Sequence, residues 1–158
     1  MIKMTNMSGE VELGASKQRV KSFVTNPDEF SSCLPNVGEF EKRNQEEFSA
    51  KFKVDLPADM RKGLLANLSN VGIKMNFKSS INGDSVSIRG EGRSMGMKIT
   101  LDLKMDLSES SGKTVINWSA EVNAGLIMKL LGEESFKKIS DQIIGELVGC
   151  VKSKLETT

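Results

Sequence analysis

Hydrophobic positions along the chain fall into two rhythms. From about residue 37 to residue 124 they recur every second position, and beyond residue 126 they recur every third or fourth. The second rhythm occupies Leu126–Leu155, where Phe136, Ile139, Ile143, Leu147, Val151 and Leu155 share one helix face, with Ile144 and Val148 at its margin. Gly132 interrupts it early, so the spacing predicts a bend there and a second, longer helical section opened by Ser135 or by Glu133–Glu134. An apolar stripe of this length must be buried. The alternating run upstream supplies the partner, a curved antiparallel sheet wrapped around the helix.

The alternation predicts strands over residues 38–43, 47–56, 72–81, 85–93, 97–107 and 114–124, with turns at Asn82-Gly83-Asp84 and Ser108–Gly112. Their inward sides are Phe48, Ala50, Phe52, Val54 and Leu56; Val71, Ile73, Met75, Phe77 and Ile81; Val86 and Ile88; Met97, Ile99, Leu101, Leu103, Met105 and Leu107; and Ile116, Trp118, Ala120 and Val122. The outward sides are charged or polar, as in an antiparallel sheet with one wet face. Ahead of these, Met7–Leu13 alternates as a first strand. Ser16 is placed to cap a helix through Asn26, and Pro27 opens a short second helix, capped by Asn26 and closed by Pro35.

Two stretches break the alternation. Gly90, Gly92 and Gly96 sit in and after one strand, where glycine marks a bend or a close approach to the backbone. In Pro57–Asn70, Met60, Leu64, Leu65 and Leu68 have helical spacing beside Arg61 and Lys62, which predicts a short amphipathic helix or lid. Composition narrows the chemistry. The chain's 158 residues suit one domain spanning 1–158, and 22 basic against 21 acidic residues leave no electrostatic footprint for nucleic acid. No opening signal segment or membrane span is read, which predicts a cytoplasmic protein. Histidine and tyrosine are absent, removing the commonest general acid–base groups. Cys33 and Cys150 lack a histidine for a metal site and read as buried free thiols, so neither metal nor cofactor is expected.

The segments MSGEVELGASKQRVKSFVTNPDEFSSCLPNV, FSAKFKV, the GEG at Gly90–Gly92 and WSAEVNAGLIMKLLG together resemble the CoxG family of carbon monoxide dehydrogenase subunits. This is a branch of the START-like (SRPBCC) helix-grip superfamily. The most specific part is Asn26-Pro27 followed by Cys33-Leu34-Pro35-Asn36-Val37. The chain departs from the family pattern in a longer Pro57–Asn70 passage and a shorter glycine-rich continuation after GEG. The resemblance implies an α+β helix-grip fold: a sheet of about seven strands around a long C-terminal helix, with two short helices after the first strand. It also implies an apolar space between sheet and helix, and a non-enzymatic accessory role beside a molybdenum carbon monoxide dehydrogenase-type enzyme, bringing it to the inner face of the membrane or its quinone pool.

The mixture of bulky and small inward residues with Met75, Met97 and Met105 suits an adaptable pocket and an ordinary filled core alike. On the pocket reading, a lipid- or quinone-like molecule is lined by Phe52, Met75, Phe77, Met97, Trp118, Ile139, Ile143 and Leu147, with Leu64 and Leu68 at the entrance. A solid-cored adaptor and a small enzyme of the polyketide-cyclase type are the alternatives. The enzyme needs an inward acid or amide, whereas the inward parities carry only the hydroxyls of Ser79 and Ser94; Arg89, Glu91 and Arg93 lie on the outward one. Two cations, Arg61 and Lys62, support only weak peripheral membrane contact. Gly145 and Gly149 lie opposite the buried stripe and read as chance.

Overall fold

The computed structural model describes residues 5–56, 58–60 and 70–156. Its elements run β1 (Thr5–Leu13), α1 (Lys17–Thr25), α2 (Pro27–Ser31), β2 (Phe40–Lys42), β3 (Glu47–Asp55), β4 (Asn70–Asn82), β5 (Ser85–Ser94), β6 (Met97–Ser110), β7 (Lys113–Asn123), α3 (Leu126–Leu131) and α4 (Glu133–Glu156). Among the described residues, seven strands form one antiparallel sheet in the order β1-β7-β6-β5-β4-β3-β2. β1 returns beside β7, so the two short helices sit in the connection between opposite edges.

Local chemistry explains the boundaries. The Ser16 hydroxyl accepts a hydrogen bond from the Arg19 N–H, capping α1. Asn26 ends α1 and starts α2: its backbone N–H donates to the Phe23 carbonyl, while its side chain accepts from the Asp28 N–H. Paired hydrogen bonds from Arg19 to Glu29, at 3.0 and 3.2 Å, hold the two helices at a fixed angle and stabilise the charged guanidinium. The β6–β7 hairpin closes over Ser111 and Gly112, both at positive φ, as a two-residue turn of right-twisted strands requires. At the other end of the sheet Gly132 (φ 86°) breaks the last helical rhythm, its carbonyl accepting from the Phe136 N–H as α4 begins at Glu133.

α4 carries the stripe read from its spacing, but the burial along it is uneven. Phe136 and Ile139 near its start and Val151 and Leu155 near its end are buried, whereas Ile143 and Leu147 between them are only half-buried. The helix is therefore packed at both ends and stands off the sheet in the middle. Its end is also tied by polar contacts: the Glu156 carboxylate accepts from the Gly14 N–H at 2.8 Å, and the Lys154 ammonium donates to the Ser32 hydroxyl.

Two readings change, and a third falls mostly outside the described residues. Cys33 and Cys150 are not free thiols: they form a disulfide joining the segment after α2 to α4 across 117 residues, their Cα atoms 5.6 Å apart, within the reach of that bond. No local pattern reveals such a pairing, because it exists only once α4 lies beside α2. Ile81 is on the inward parity yet 52% exposed, since β3 begins at Glu47, opposite Lys78, and the tip of β4 overhangs it. The amphipathic helix expected over Pro57–Asn70 lies mostly outside the described residues; Ala58–Met60 forms a 3-10 turn and Asn70 already belongs to β4. No helix among the described residues is long and apolar enough to cross a membrane.

By the chain-entropy account, a cross-link closing a loop of this length stabilises by about 5 kcal/mol. Reduction, or Cys150→Ser, is expected to lower the thermal midpoint by roughly 10–20 °C. Differential scanning calorimetry with and without reductant checks this; equal midpoints would show that the cross-link adds nothing to stability.

Candidate ligand cavity

The space left beneath the middle of α4 is a cavity of about 270 Å³. Its floor is the inner face of the sheet from β1 to β7, omitting the short β2, and its roof is α4 and α3. Of the residues singled out from the sequence, Phe52, Met75, Phe77, Trp118, Ile139, Ile143 and Leu147 meet on this wall. Met97 does not; it is half-buried against the core at the start of β6, off the wall. Leu64 and Leu68, expected at the entrance, lie outside the described residues.

The wall is carbon almost throughout. Among the described residues, its two hydroxyl side chains are Ser94 and Ser140, and the Ser94 hydroxyl donates to the Gly72 carbonyl at 2.8 Å, so its proton is already committed. Ser79, the other inward hydroxyl, donates to the Glu46 carbonyl and is not part of the wall. Among the described residues, no acid, amide or cation lines the cavity and no buried side-chain polar atom lacks a partner. Arg89, Glu91 and Arg93 are on the outer face, Arg89 pairing with Asp102 across the strands at 3.7 Å. No group of three or more metal-ligating side chains occurs among the described residues. Such a site can hold hydrocarbon, which gains roughly 0.8 kcal/mol per methylene removed from water, but among the described residues it offers no charged group for proton transfer.

The glycines of β5 are explained by the floor. A Cβ on Gly90 would lie 2.8 Å from the Met75 methyl and 3.1 Å from the Phe77 ring. On Gly92 it would lie 2.6 Å from Met75 Cγ and would also strike the Lys74 carbonyl. What approaches these glycines is thus β4 itself: Met75 and Phe77 lie across the next strand, and Phe77 stacks on Phe48 with ring centroids 5.0 Å apart. Gly9 does the same for Trp118, whose indole lies 2.9 Å from where a Cβ would stand. Behind Trp118, Phe30 and Leu147 is a second apolar space of about 70 Å³, so Trp118 is a partition between two chambers.

Sequence reasoning missed the end wall. Ile127 and Leu131 of α3, and Leu34 and Pro35 after α2, also line the cavity. The signal for the first pair was present: four residues apart between Gly125 and Gly132, they share one face of a separate helical turn. Gly145 and Gly149 meet nothing, since a Cβ on either would have no atom within 4 Å.

The family profile for CoxG, a carbon monoxide dehydrogenase subunit, matches residues 9–156. A search of curated proteins finds no match. A conserved protein from Geobacillus kaustophilus superposes with a TM-score of 0.79 at 12% identity, covering 97% of this chain and 96% of that one. A START superfamily protein from Mycobacterium smegmatis gives 0.67 at 9% identity, covering 96% and 97%. The ZhuI aromatase/cyclase from Streptomyces sp. R1128 gives 0.67 at 9% identity, covering 98% and 94%. At these identities the structures establish the shared helix-grip fold.

Gly92→Ala is expected to destabilise by about 2–3 kcal/mol, because both the Lys74 backbone and Met75 would have to shift. Gly72→Ala, where a Cβ meets no atom within 4 Å, is the control and should change stability little. Urea denaturation of the two variants measures the difference; equal midpoints would mean that β4 does not press on β5.

Proposed function

This chain belongs to the CoxG family of carbon monoxide dehydrogenase subunits, and we propose that it is a non-enzymatic accessory protein whose single domain, 1–158, holds the apolar part of a lipid- or quinone-like molecule between sheet and α4. The observation that carries this reading is the carbon-walled cavity of about 270 Å³. That volume lies near the lower end of the about 300–1,000 Å³ range of small-molecule sites, and suits part of a hydrocarbon tail, with any polar head left outside. The seven wall residues anticipated from the sequence, Phe52, Met75, Phe77, Trp118, Ile139, Ile143 and Leu147, are the proposed ligand contacts. Family membership supports an accessory role next to a carbon monoxide dehydrogenase-type enzyme, with recruitment of a molybdenum hydroxylase to the membrane as the finer form of that role.

The cyclase reading draws on the similarity in fold to an aromatase/cyclase. A wall without an inward acid, base or amide among the described residues speaks against it. A solid-cored adaptor is disfavoured by the cavity itself.

Gentle purification followed by organic extraction and mass spectrometry is expected to recover a stoichiometric lipid or quinone. Ala120 sits buried on the cavity floor, opposite Met7 and Leu103. Ala120→Phe fills the space with a ring, and should cut binding of a fluorescent fatty-acid probe by about tenfold or more, the equivalent of losing roughly two methylene contacts, with little loss of thermal stability. Recovery of nothing, together with equal probe binding by both proteins, would reject the cavity as a binding site.

A further inference from the structure

The outer face of the sheet, opposite the cavity, carries a pattern visible only in the strand register. Lys51 of β3 lies directly opposite Lys74 of β4, Lys74 opposite Arg93 of β5, and Arg93 opposite Lys98 of β6. All four side chains are exposed. Four cations thus stand in one row across four strands, about 5 Å from one to the next. Like charges placed directly opposite each other destabilise a sheet.

Farther down the same face two of the cations are paired. Lys78 pairs with Glu47 at 3.6 Å and Arg89 with Asp102 at 3.7 Å. In the cationic row, Lys51 has Glu39 at 3.3 Å, while Lys74, Arg93 and Lys98 have no carboxylate partner among the described residues. The Arg93 guanidinium donates only to the Gly96 carbonyl, and Glu91 is one row away, opposite Asn76 and Thr100. The row lies beside the β5–β6 turn, whose Met95 is 44% exposed; α3, with Leu130 42% exposed, follows β7 at the same end of the sheet but on the cavity side.

We propose that this row is a docking surface for an anionic lipid bilayer, Lys74, Arg93 and Lys98 meeting the headgroup phosphates and Met95 reaching the acyl boundary. An extended bilayer accommodates a row of cations on a smooth sheet face without a shaped counterpart, and the exposed methionine at its edge fits a surface with an apolar layer beneath the charge. The inference deepens the membrane part of the reading above and does not depend on the cavity, because the row is on the opposite face.

The test is co-sedimentation with vesicles of phosphatidylcholine alone and of an equal mixture of phosphatidylcholine and phosphatidylglycerol. The natural chain should bind the mixed vesicles, ignore the neutral ones and be released by salt. Lys74→Glu/Arg93→Glu/Lys98→Glu should weaken binding by at least about tenfold, with Lys74→Gln/Arg93→Gln/Lys98→Gln intermediate. Lys98→Glu alone should weaken binding more than Lys104→Glu, an equal charge change on the same strand and face. Circular dichroism and fatty-acid probe binding equal to the natural chain separate this result from misfolding or from failure of the cavity reading. Failure of the natural chain to bind the mixed vesicles would overturn the proposal and leave an acidic protein surface as the occupant. Equal binding by the triple variant, or equal effects of Lys98→Glu and Lys104→Glu, would also overturn it.

Discussion

The structure depends on one constraint: α4 is packed against the rest of the protein at its two ends and held away from the sheet in between. Phe136 and Ile139 bury one end, and Val151, Leu155 and the Cys33–Cys150 bridge fix the other. A helix with one continuous apolar stripe would normally press its whole length onto the sheet, because every uncovered methylene costs burial energy. Here Ile143 and Leu147 forgo that contact and face an open space. Anchoring at the ends is what allows the middle to remain uncollapsed.

The floor opposite the helix is shaped by the same economy of volume. Glycine at positions 90 and 92 lets Met75 and Phe77 lie down across β5 where any Cβ would lift them toward the helix. Gly9 lets Trp118 lie flat in the same way, and the indole then separates the main chamber from the smaller one. Large side chains are thus laid against the sheet, and the depth saved stays open. Methionine and aromatic rings make walls that adapt to an irregular hydrocarbon without needing a polar anchor.

The alternation that builds this floor also determines the outside. Each inward residue implies outward neighbours one position away, so Met75, Ser94 and Ile99 on the wall leave Lys74, Arg93 and Lys98 on the surface. The apolar interior and the cationic row are two faces of the same strands.

Much of this was legible before any tertiary information. The seven strands, the caps at Ser16 and Asn26, the break at Gly132, and the inward side of Phe52, Met75, Phe77 and Trp118 follow from periodicity and cap chemistry, which act over a few residues. What remained hidden depends on elements far apart in the chain. The pairing of Cys33 with Cys150 needs α4 beside α2; the exposure of Ile81 needs to know where β3 begins; and the absence of Met97 from the wall depends on the space around the start of β6. Alternation gave each strand its faces without giving its register, so the alignment of four cations could not be foreseen. Nor does an inward apolar residue declare whether it meets another side chain or empty space: that is decided by where distant packing at both ends of α4 holds the helix.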